Sequence, residues 1–118
     1  MNKILKTAFA EEMQKAKSFY DQSDWDRAFE SLERAHVLGQ RNAIPHTVSH
    51  WWMMKVAFRR RDTREVLGQL PRLLFGGLTS LLGRAPIGNT GGANVPIMQP
   101  MPISKELQDV FDKAEATR

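Results

Sequence analysis

Apolar residues recur every three or four positions along most of this chain, in runs parted by short polar breaks, a pattern that predicts helices. The first run, about Lys3 to Tyr20, turns Ala8, Ala16, Phe19 and Tyr20 to its inner side. After a turn at Asp21 to Ser23, Ser23 with Asp26 resembles a capping box, and Trp25, Ala28, Phe29, Leu32, Ala35 and Val37 follow at helical spacing. Gly39 supplies a stop. Pro45 suits a first helical turn because it lacks an amide hydrogen that would go unpaired there, so a third helix is predicted over about Pro45 to Arg61. Asp62 or Thr63 can cap a fourth beginning near Arg64, with Val66, Leu67, Leu70, Leu73 and Leu74 as its apolar stripe. Gly68, Pro71, Gly76 and Gly77 predict a kink or a break in it.

Beyond Gly83 the texture changes to glycine, proline and methionine, in the run GRAPIGNTGGANVPIMQPMPI. Val95, Ile97, Met98, Met101 and Ile103 are apolar enough to lay this segment across the helices as an ordered strap. Ser104 then caps a short helix carrying Leu107, Val110, Phe111 and Ala114. The predicted fold is all-α: two antiparallel helical hairpins over residues 1–83, a Gly/Pro/Met-rich strap over 84–103 and a terminal helix over 104–117, together one domain spanning 1–118.

KSFYDQSDWDRAFESLERAHVL, residues 17–38, resembles one tetratricopeptide repeat through Phe19, Trp25, Ala28, Leu32 and Ala35. A weaker second unit runs from His50 through Ala57, Val66, Leu70 and Leu73. The resemblance implies close antiparallel packing over the first two thirds of the chain. Two units are fewer than an open solenoid needs, which favours a compact bundle over a peptide-binding array. The whole chain also resembles a family of short bacterial proteins catalogued as domain of unknown function 3703, through RAHVLGQ (34–40), PHTVSHWWM (45–53) and GNTGGANV (88–95). That resemblance implies an independent one-domain bacterial protein and carries over no catalytic residue.

The 118 residues include no cysteine, which excludes disulfides, thiolate zinc sites and thiol nucleophiles. Lys3 and Lys6 precede only a short apolar stretch before Glu11 and Glu12, so no signal peptide is expected and the chain reads as cytoplasmic. A net charge of +4 raises binding of nucleic acid or another anionic partner, with Arg59, Arg60, Arg61 and Arg64 as the basic patch. Those arginines fall where a helix should end, however, and cations complement a helix C-terminus without any partner. Trp51 and Trp52 face two sides of one helix, so at most one enters the same core layer and the other is a candidate contact for a protein partner or a second copy, unless the strap covers it. GNTGG lacks the lysine and the strand-to-helix context of a phosphate loop, and reads as a turn. Arg72, Pro71 and the glycines argue against a membrane span in the leucine-rich stretch 66–82.

The remaining chemistry lies with His36, His46 and His50, all three histidines of the chain. His46 and His50 are one helical turn apart, as are Glu33 and His36 on the preceding helix, and the connecting bend can bring both pairs together. His36, His46, His50 and Glu33 are therefore candidate ligands for one ion, zinc or another divalent transition metal such as nickel, cobalt or copper, with Glu30 a further carboxylate within reach. Competing with this is the commoner role of histidine, half buried and satisfied by hydrogen bonds, with His36 on a carbonyl near Gly39 and the others beside the tryptophans. A third role is a pH-sensitive element. The functional expectation is a small helical binding or adaptor protein, without enzymatic activity, carrying a candidate single-metal site at the hairpin end. A metal-dependent enzyme or metal handler, and a binder of anionic partners, are the alternatives.

Overall fold

The computed structural model describes residues 1–117, and within them the fold is all-α. Five helices are found among these residues: α1 (Lys3–Asp21), α2 (Trp25–Gly39), α3 (Ala43–Arg59), α4 (Thr63–Leu81) and α5 (Lys105–Ala116). α1 packs chiefly on α2 and α3 on α4, giving two hairpins that meet along α2 and α3, while α5 docks on α1.

Local chemistry sets the helix boundaries. Asn2, Asp24, Asp62 and Ser104 each accept a hydrogen bond from a first-turn amide, at 2.8, 3.3, 3.0 and 3.4 Å. Asp24, and not Ser23, is thus the cap of α2. Ser23 instead occupies the left-handed region at φ 57° and lets the chain reverse. α3 starts two residues before Pro45, and Asn42 at its cap makes no side-chain bond because proline at the third helical position has no amide hydrogen to offer it. α4 is one continuous helix through Gly68, Pro71, Gly76 and Gly77, so the chain does not break there. α5 begins after Ser104, as its spacing predicts.

The larger core cluster joins α1, α2 and α3: Met13, Ala16, Ala28, Phe29, Leu32, Ala35, Met53 and Val56, with Phe9, Phe19, Tyr20, Trp25, Val48 and Trp52 at its margin. A second cluster, Val37, Leu38 and Leu107, seats α5. The fully buried alanines at 28, 35 and 57 let helices approach closely.

No α4 residue belongs to either cluster. Its buried positions are Glu65, Gln69, Arg72, Gly76 and Ser80, whereas Leu67, Leu70, Leu74, Phe75, Leu78 and Leu81 are exposed. The leucine stripe that would ordinarily face a core thus faces outward, and a polar stripe at the same 3–4 spacing faces α3. None of the described helices is long and apolar enough to cross a membrane.

The strap, residues 84–103, closes over this polar stripe. Gln40 donates to the Pro86 carbonyl and accepts from the Gly88 amide at 3.1 Å. Gln69 donates to the Gly91 carbonyl at 2.9 Å, and the Ala93 amide donates to Glu65 at 2.7 Å. The Asn89 side chain then pins the strap to itself by donating to the Pro96 and Gln99 carbonyls, at 2.9 and 2.8 Å.

Candidate metal centre

His36 stands in the last turn of α2, and His46 and His50 are one turn apart near the start of α3; all three side chains are buried. Their ring centroids lie 4.7, 4.6 and 4.9 Å apart, and one nitrogen from each ring falls within 4.8 Å of the others. The bend at residues 40–42 thus gathers imidazoles from both helices.

The outer partners fix which nitrogen is which. His36 Nδ1 donates to the Asn89 carbonyl at 2.8 Å, a partner that can only accept. His50 Nδ1 lies 2.7 Å from Gln69 Oε1. That amide cannot be reversed, because its nitrogen donates to Glu65 at 2.9 Å and to the Gly91 carbonyl at 2.9 Å, so His50 Nδ1 is also a donor. His46 Nδ1 sits 2.7 Å from Ser80 Oγ, whose own hydrogen goes to the Gln40 carbonyl, leaving the hydroxyl oxygen to accept from the ring.

Each neutral imidazole carries one proton, so all three Nε2 atoms keep a bare lone pair. His36 Nε2 and His50 Nε2 meet at 3.0 Å with no hydrogen between them. Ligand nitrogens at about 2.0–2.1 Å around a tetrahedral zinc stand roughly 3.3 Å apart, close to this spacing. A shared proton would relieve the repulsion only by making a buried imidazolium, and burial opposes that. It holds His36 well below the ordinary histidine range, brings His50 down to about 3, and brings His46 down to about 4 against the opposing Gly76 backbone. The rings are therefore neutral at ordinary pH, the form that binds metal, and a switch near neutrality is not what this cluster provides.

Two glycines make room for it. A Cβ at Gly76 would press on His46 Nε2 at 3.2 Å and on His50 Cδ2 at 3.3 Å. A Cβ at Gly91, where φ is +88°, would meet the His36 ring at 2.7 Å.

Glu33 stands apart from the converging nitrogens. Its carboxyl hydrogen-bonds Thr90, and burial raises its pKa. Glu30 is exposed. The groups that orient the rings, Asn89, Gln69 and Ser80, were not singled out from sequence, although the polar residues Glu65, Gln69, Arg72 and Ser80, which share one face of a leucine-rich helix at steps of 4, 3 and 8, were a legible sign. The carbonyl that takes His36 comes from Asn89, not from the vicinity of Gly39.

The other candidate residues lie away from this centre. Trp52 packs edge-on against Tyr20 with Lys55 Nζ 3.8 Å from its ring centre, while Trp51 is 48% exposed. The basic patch is divided. Arg59 lies over Tyr20 and Trp25, Arg60 pairs with Asp26 at 3.3 Å and Asp62 at 3.4 Å, and Arg61 and Arg64 are exposed.

Fold and site together define an all-α protein whose histidines form a buried triad able to hold a metal ion. The chain belongs to the family described as Protein of unknown function (DUF3703), whose model matches residues 3–111. No curated protein and no solved structure matches it.

Proposed function

We propose that this chain is a one-domain metal-binding protein that holds a single divalent transition ion on His36, His46 and His50 through Nε2. The observation that carries this reading is the commitment of all three Nδ1 protons to Asn89, Ser80 and Gln69, which leaves the three Nε2 lone pairs free in a cluster whose ligand atoms lie within 4.8 Å of one another. Three neutral imidazoles with one further position suit zinc, and also cobalt, nickel or copper. Glu33 is not needed as a ligand. The test is metal analysis of protein purified without a histidine tag, beside His46→Ala with His50→Ala. About one ion per chain is expected in the wild type and none in the variant, and unchanged metal content in the variant overturns the reading.

A second reading, as a binding protein, is favoured by the outer face of α4, where Leu67, Leu74 and Leu81 are 61, 73 and 76% exposed. Arg64 is the one charged residue on the exposed side of 63–82, so two copies can pair through this face with little like-charge repulsion. Sedimentation should give a dimer for the wild type and a monomer for Leu74→Glu with Leu78→Glu. A wild-type monomer at all concentrations overturns self-pairing.

A further inference from the structure

A cavity of about 120 Å³ lies against the three histidines, and its remaining wall includes Arg72, Phe75, Thr79, Ile97 and Met98. Arg72 reaches it from the buried side of α4 and is 8% exposed. Its Nη1 donates to the Gly68 carbonyl and its Nη2 to the Val95 carbonyl, both at 2.8 Å. A guanidinium has five N–H groups, so three remain after these bonds. The strap and α4 thus anchor the cation without saturating it.

Charge defines what the cavity should take. With a divalent ion on three neutral imidazoles, the charges gathered here are the ion, Arg72, Glu65, whose carboxylate is held by Gln69 and the Ala93 amide at 2.9 and 2.7 Å, and the partly buried Glu33 on Thr90. Two carboxylates against three positive charges leave one uncompensated, and buried charge without a counter-ion is strongly unfavourable. Phe75, Ile97 and Met98 supply no negative charge. An anion entering from outside is the missing partner, and the volume admits only a small one.

We propose that this cavity binds a small monovalent anion, carboxylate-sized or smaller, with one atom on the open position of the metal and another accepting from Arg72. The proposal rests on the metal reading above and adds the ligand class of the same site.

Cobalt-loaded protein provides the test, because the visible spectrum of Co²⁺ reports its fourth ligand directly. Azide and formate, titrated at constant ionic strength, should each shift the bands saturably, whereas neutral formamide should not. Arg72→Met should weaken the anion affinity about ten-fold or more, as expected for losing a hydrogen bond to a charged group, and Arg72→Lys should restore part of it. A wild-type protein that binds cobalt but keeps the same spectrum under azide overturns the anion site and leaves the metal reading standing. Failure to bind cobalt at all overturns both. Because the wild-type titration decides the matter, poor folding of Arg72→Met does not shelter the proposal.

Discussion

The two hairpins follow opposite rules of burial. α1 and α2 turn Met13, Ala16, Ala28, Phe29, Leu32 and Ala35 inward and leave charged residues such as Lys15, Asp26 and Glu30 in solvent. α4 turns Glu65, Gln69, Arg72 and Ser80 inward and leaves six large apolar side chains exposed. α3 mediates between them, giving Met53 and Val56 to the apolar core and His46 and His50 to the polar side. A hydrophobic stripe reports amphipathicity but not which face is buried. The first hairpin, with α3, supplies stability, and that stability can support a polar interior in which all three imidazoles commit Nδ1 to a partner and leave Nε2 bare.

The largest effect that separates the regions is the cost of truncating a leucine. Leu32, fully buried in the first hairpin, should lose about 2–5 kcal/mol on Leu32→Ala in urea unfolding, because the cavity has packed neighbours on every side. Leu74→Ser on α4, measured on the monomer, should change stability by no more than about 0.5 kcal/mol. Comparable losses at the two positions would mean that α4 buries its leucines after all, and the contrast would break.

The same contrast separates what could be read in the sequence from what could not. α1, α2 and α5 were legible because their apolar spacing marks stripes that do face a core, with Ser104 also read as the cap of α5, whereas the cap of α2 was read one residue early, at Ser23. The histidine convergence was legible from the one-turn spacing of His46 and His50 and the short bend after His36. α4 misled in two ways. Its glycines and proline read as a break, whereas Gly68 and Gly76 are close-approach points, the first against Ala93 of the strap and the second against two imidazoles. Its leucines read as a core stripe because propensity rules assume an apolar neighbour, and here the neighbour is a cluster of rings and carbonyls. Glu33 was a natural fourth ligand by spacing, but the groups that orient the rings are neutral and lie 19, 34 and 53 residues from them, a pairing that only the folded chain displays.

The hairpins agree at their turns, and that agreement gives the finest test. In each, an exposed residue in the left-handed region precedes the aspartate cap: Ser23 at φ 57° before Asp24, and Arg61 at φ 60° before Asp62. In each, the aspartate amide reaches back to the helix just ended, Asp24 to the Phe19 carbonyl and Asp62 to the Ala57 carbonyl, both at 2.9 Å. A side chain in this conformation is strained where glycine is not. Ser23→Gly and Arg61→Gly should therefore each stabilise the fold by about 0.5–1 kcal/mol, the glycine's greater unfolded-state freedom offsetting part of the relief. Thermal unfolding should show similar gains at both turns, since the backbone is the same in each. A gain at Ser23 without one at Arg61 would show that the arginine side chain makes a compensating contribution in the second hairpin, and the difference between the regions would then extend from their faces to their turns.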